Sequence, residues 1–149
     1  ALINYPLAEI SQYGAIGAWR ESAGLPVLSL QNILGAVLWP LAWCMGVAPE
    51  DCGRFASLLG LQTIATEFVA YESLGKMIRA GSVSPRTAEI ATYALCGFAN
   101  LPSIAIQIGG FSAMVPERRA DFAALAPRAM LAGAMACWMT ASVASIFIP

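Results

Sequence analysis

Glu67 is the first residue that asks for a chemical explanation. It stands between two uncharged runs, Phe55–Thr66 and Phe68–Tyr71, with Arg54 upstream and Lys76 and Arg79 downstream. At bilayer depth an acid costs at least about 2.5–3.5 kcal/mol on insertion scales, so it faces a partner, a substrate or water. A structural alternative is a carboxylate accepting backbone hydrogen bonds at a hairpin tip, and the two roles are compatible. The second candidate is the stretch CGFANLPSI, Cys96–Ile104. Gly97, Asn100 and Pro102 fall within six residues, and proline has no amide hydrogen to give a helix. Helices interrupted at the midplane present unpaired N–H and C=O groups to a ligand. Asn100 adds donors and an acceptor, Ser103 adds a hydroxyl, and the Phe98 ring can pack against a flat ligand. The structural alternative here is a simple kink at Asn100 and Pro102, with Ser103 bonded back to its own helix. A carboxylate, an amide, a hydroxyl and an aromatic ring together suit a polyol joined to a planar ring. Such chemistry does not single out one polyol.

These groups must be positioned by a chain of unusual composition. Of its 149 residues, 58% are hydrophobic and 11% charged, with a mean hydropathy of +0.68. Soluble domains carry about 25% charged residues, so a polar coat cannot be made here. No charge occurs from Ser22 to Pro49, from Ile90 to Pro116, or from Ala129 to Pro149. Each gap reaches the roughly 20 apolar residues of a spanning helix. The expected fold class is therefore an all-α integral membrane protein with spanning helices, one re-entrant helical hairpin and one broken helix. Its expected location is the cell membrane, with several passes. A formal net charge of −1 leaves no basic face for nucleic acid. Cys44, Cys52, Cys96 and Cys137 form no CxxC pair, and the chain has no histidine. A zinc site would need an unusual ligand set, so buried inert thiols are the better reading. No metal site and no cofactor are expected.

Residues 1–28 read as the end of a preceding span and a connector, broken by Pro6, Gly14, Gly17, Gly24 and Pro26. The segment Ala1–Tyr13 lacks the basic flank, apolar run and cleavage site of a signal peptide. The chain is expected to be part of a longer protein. Residues 29–49 read as a scaffold transmembrane helix, with a tolerated proline at Pro40. Over 50–80 each uncharged arm is too short to cross: a 12-residue run such as Phe55–Thr66 covers about 18 Å of a core about 30 Å thick. A re-entrant hairpin turning near Thr63–Glu67 fits. Residues 81–116 read as a broken transmembrane helix running from about Thr87 to Met114. Residues 117–149 read as a final transmembrane helix from about Asp121, with Pro127 near its start.

The runs TEFVAY (Thr66–Tyr71), TYALCGFANLPSI (Thr92–Ile104), Gly109–Gly110 and PERRAD (Pro116–Asp121) resemble the concentrative nucleoside transporters. The likeness runs in matching order from about Gln31 to the end of the chain. It implies a homotrimeric symporter that couples nucleoside uptake to a sodium or proton gradient by alternating access. Two inverted repeats would meet around the substrate, and this chain resembles the second repeat plus a scaffold helix. By that resemblance Glu67, Asn100 and Ser103 bind ribose and Phe98 contacts the nucleoside. Thr66 stands where the family commonly has asparagine, and Pro102 and Ala105 also depart from its usual residues. The family's first hairpin, with its ion and base contacts, has no counterpart in this sequence, so no ion ligand is assigned. Two other readings stand beside this one. An enzyme using Glu67 as a base needs a second positioned titratable group, and none is evident at comparable depth. A structural or channel-like membrane subunit is the alternative.

Overall fold

The computed structural model describes residues 30–149 and Glu9. The expected end of a preceding span over 1–28 lies outside the described residues apart from Glu9. Helix α1 spans Leu30–Cys44, with Pro40 inside it. The chain turns through Gly46, whose φ of +83° is a conformation open to glycine because it lacks a Cβ. There the Gly46 amide donates to the Trp43 carbonyl at 3.0 Å, and the Val47 amide to the Ala42 carbonyl at 3.3 Å. Helix α2, Pro49–Ile64, begins with proline in its first turn and with Glu50 and Asp51 beside the positive end of its dipole. The short turn folds α2 back along α1. At Gly35 the helices come so close that a Cβ would lie 3.3 Å from the Ser57 backbone.

Residues Ala65 and Thr66 separate α2 from α3, Glu67–Arg79. The Thr66 hydroxyl caps α3 by accepting from the Val69 amide at 3.4 Å. Its last turn carries Lys76 and Arg79 near the negative end of the dipole. Gly81, at φ +60°, leads into α4, Pro85–Ala94, which is capped by Ser84. After six intervening residues α5 follows, spanning Leu101–Met114. A short 3-10 turn at Pro116–Arg118 leads into α6, Arg119–Phe147. The central element is α2. Its Phe55, Leu58 and Leu59 are fully buried, packed with Met45, Ile90 and Leu95 from three other parts of the chain.

One helical stretch among the described residues, Pro116–Phe147, is long and apolar enough to cross a membrane. At 1.5 Å per residue the charge-free part after Arg128 covers about 28 Å, matching a hydrocarbon core of about 30 Å. Leu131, Met135, Met139, Val143 and Phe147 recur every fourth residue along it and all are exposed. An apolar stripe facing outward has no place in water, and lipid is the solvent that suits it. Of the other two charge-free gaps, the first is described only from Leu30, and the second is divided between α4 and α5. The interruption covers Leu95–Asn100, and Pro102 falls in the first turn of the new helix, where no amide donor is needed. The final helix begins two residues before Asp121. Arg118 and Asp121 close that first turn with a 3.0 Å ion pair, and Pro127 falls well inside α6.

Candidate functional site

The site forms where two helix N-termini meet. Asn100 is the N-cap of α5: its Oδ1 accepts from the Ser103 amide at 2.9 Å and from the Ser103 hydroxyl at 2.8 Å. Its Nδ2 donates to Glu67 Oε2 at 2.8 Å. Glu67 opens α3, so its carboxylate lies at the positive ends of two helix dipoles at once, where negative charge is favoured. Asn100 is 1% exposed, while Glu67 and Ser103 are half-buried. The structure thus brings three of the four expected residues into one hydrogen-bonded chain. The fourth, Phe98, is 73% exposed and projects from the uncoiled segment. Asn100 caps a helix, and the Ser103 hydroxyl bonds to the Asn100 side chain and not, as the kink reading expected, back to a helical carbonyl.

The uncoiled segment has its own support. Gln62, in the last turn of α2 and 5% exposed, donates Nε2 to the Gly97 carbonyl at 2.7 Å and the Leu95 carbonyl at 3.3 Å. These carbonyls lose helical partners where the chain uncoils, and an unpaired carbonyl in the interior costs about 1–3 kcal/mol. Tyr71 donates its hydroxyl to the Thr92 carbonyl at 2.6 Å, tying α3 to α4. Neither residue is given a role by the sequence alone, although Tyr71 closes the run TEFVAY. The signal for Gln62 was a lone amide in the apolar arm Phe55–Thr66, placed to reach across rather than outward. A cleft of about 700 Å³ opens beside the break, between α5 and α6. Phe98, Asn100 and Ser103 line one end of it, and Phe111, Phe122 and Met130 line the remainder. The walls are mostly apolar, with Asn100, Ser103 and Gln107 as polar groups among them, a lining of the kind that orients a small ligand.

The Asp51 carboxylate secures the outer end of the bundle, away from this site. Its Oδ2 accepts from the Ser84 amide at 3.0 Å. Burial pushes its pKa up, but hydrogen bonds from the Ser84 backbone and the Thr87 and Ser84 hydroxyls, with the Arg54 charge, bring it below the usual carboxylate value.

Among solved structures the chain is similar to the transporter CNTnw in an inward-facing substrate-bound state, at 41% identity and a TM-score of 0.78. That likeness covers 96% of this chain and 35% of the other. With the outward apolar stripe of α6, it defines an all-α integral membrane protein with a transporter fold. The family described as "Na+ dependent nucleoside transporter C-terminus" matches residues 1–145, reaching upstream of Gln31, from about which the resemblance in sequence runs. The chain belongs to this family. Human solute carrier family 28 member 3 is 38% identical over 98% of the chain. Mouse sodium/nucleoside cotransporter 1 is 43% identical over 96% of it. The chain spans 22% and 24% of the length of these two relatives.

Proposed function

We propose that this chain is the carboxyl-terminal part of a sodium-coupled nucleoside symporter and supplies the ribose-binding half of its substrate site. The observation that carries this reading is the Glu67–Asn100–Ser103 chain at the meeting of two helix N-termini. A carboxylate has two oxygens, and Asn100 engages one of them. The other can accept from a sugar hydroxyl, a charge-assisted bond about twice as strong as a neutral one. The second Nδ2 hydrogen of Asn100 and the lone pairs of Ser103 can complete the contacts to a vicinal diol. Phe98 then lies against the base. The ion contacts and the remaining base contacts belong to the rest of the protein.

The paired helices α2 and α3 fit a re-entrant hairpin with Ala65–Thr66 at its tip. At 16 and 13 residues they measure about 24 and 20 Å, short of a core about 30 Å thick. The tip exposes backbone groups, which is permitted where a water-filled cavity receives them. Transport then works by alternating access, in a homotrimer, with sodium moving inward down its gradient. One charge crossing 100 mV supplies about 2.3 kcal/mol, nearly fiftyfold in concentration at tenfold per 1.4 kcal/mol. No chemical bond is made or broken.

The test is uptake of radiolabelled uridine by the full-length protein in proteoliposomes, with and without a sodium gradient. Wild type should accumulate uridine above equilibrium, and Glu67→Gln should lose nearly all uptake while still reaching the membrane. Wild-type rates in that variant would remove Glu67 from the substrate site. Leak without accumulation in the wild type would instead mean a channel-like subunit.

A further inference from the structure

Two of the four cysteines lie against each other beside the substrate site. Cys96 is the second residue of the uncoiled segment and is exposed; Cys137 lies half-buried on α6. Their side chains are close enough for the two thiols to interact directly. A second contact measures the fit. A Cβ placed on Gly97, the residue after Cys96, would lie 2.4 Å from Cys137 Sγ and 3.7 Å from Cys137 Cβ. The sulfur of Cys137 therefore rests directly on the backbone beside Cys96. The other two cysteines, exposed Cys44 on α1 and buried Cys52 on α2, lie in a different part of the fold.

The geometry points to a dithiol modification site: Cys96 and Cys137 close into a disulfide that ties the uncoiled segment to α6. A disulfide needs Cβ atoms about 3.5–4.5 Å apart. Helical backbone on both sides would resist that adjustment, but Cys96 sits where no helix fixes its dihedrals. The reaction needs an oxidant, for which a hydroperoxide suffices. The exposed Cys96 sulfur attacks the terminal peroxide oxygen, the O–O bond breaks, and an alcohol leaves as Cys96 becomes a sulfenic acid. The Cys137 sulfur then attacks Cys96 Sγ, the S–O bond breaks, and the thiol proton leaves with the hydroxyl as water. Two thiols are oxidised and one peroxide is reduced. A thiol reductant reverses the bond by exchange.

The consequence rests on the proposed substrate role of this segment. Phe98 and Asn100 follow Cys96 by two and four residues, so a covalent tie at Cys96 restrains both. The oxidised protein is held in one arrangement while alternating access requires two. The experiment uses the full-length protein in proteoliposomes, treated with cumene hydroperoxide, then alkylated and digested without reductant. Mass spectrometry should find a Cys96–Cys137 linked peptide. Sodium-driven uridine uptake should fall at least about tenfold, as when the competent fraction drops to about a tenth, and dithiothreitol should restore it. Cys96→Ser and Cys137→Ser should each keep their uptake under oxidation. Phenylarsine oxide, which needs two neighbouring thiols, should protect both cysteines of the unoxidised protein from alkylation. Recovery of both residues as separately alkylated peptides after oxidation would overturn the site. A linked peptide with undiminished uptake would overturn the restraint. Absence of uridine uptake in the reduced wild type would count against the transporter reading alone, since the linked peptide is read without it.

Discussion

At the scale of single residues, Asn100 does two jobs that mutation can separate. It caps α5 through Oδ1 and holds Glu67 through Nδ2. Aspartate caps a helix about as well as asparagine, but Asn100→Asp sets a second carboxylate where Nδ2 was 2.8 Å from Glu67 Oε2. Circular dichroism of that variant should match wild type, while nucleoside affinity in calorimetry weakens by at least about tenfold, or 1.4 kcal/mol. Unchanged affinity would show that the amide serves only as a cap. Gly97 is a case of space rather than backbone freedom. It is not among the described glycines with positive φ, Gly46 and Gly81, yet a Cβ there would collide with Cys137 Sγ. Gly97→Ala should lower stability by about 1–3 kcal/mol through overpacking. Adding Cys137→Ala should recover most of the loss in a detergent melting series. If the two changes simply add, the contact is not what requires glycine.

At the scale of elements, the turn between α3 and α4 is fastened to the start of α2 by one carboxylate. Asp51 receives the Ser84 amide and has a pKa below its ordinary value. Its stabilising effect is therefore complete above the unfolded carboxylate pKa of about 3.9. It is lost as pH falls through the lower folded value, where the protonated group no longer gains from these donors. Asp51→Ala should melt earlier than wild type at neutral pH, with the gap narrowing as pH drops below about 3.9. A gap that stays constant to acid pH would mean packing, not the charge, is responsible. The interruption between α2 and α3 at Ala65–Thr66 falls where the charge pattern, with Glu67 and the short uncharged arms, places a turn near Thr63–Glu67. What carries the uncoiled segment was not legible. Gln62 contacts Leu95 and Gly97 across more than thirty residues of chain, and nothing in local periodicity reports such a pairing.

At the scale of the whole molecule, α6 meets the solvent along its apolar side. Leu131 is 57% exposed near the middle of Pro116–Phe147. A lysine at the centre of a spanning helix costs about 2.5–3.5 kcal/mol on insertion scales. Leu131→Lys should therefore cut the membrane-inserted fraction in a translocon insertion assay, while Arg128→Lys, at the edge of the charge-free run, should not. Equal insertion of the two variants would place Leu131 against protein or water. The same stripe explains why burial within these residues alone is low: lipid and the remaining parts of the protein are the expected neighbours.

Composition and charge spacing sufficed to assign the class, because the cost of burying charge in hydrocarbon acts on each residue wherever it packs. They also marked Glu67, Asn100 and Ser103, since polar groups in apolar surroundings are rare enough to need a reason. The tertiary structure alone decided that the first and second of these touch, and that Thr66 and Asn100 turn two helix N-termini toward one place. It alone set Gln62 beneath the break and Cys96 against Cys137. Those pairings depend on how helices distant in the chain pack against each other, a long-range outcome that hydrophobic periodicity, a local quantity, does not encode.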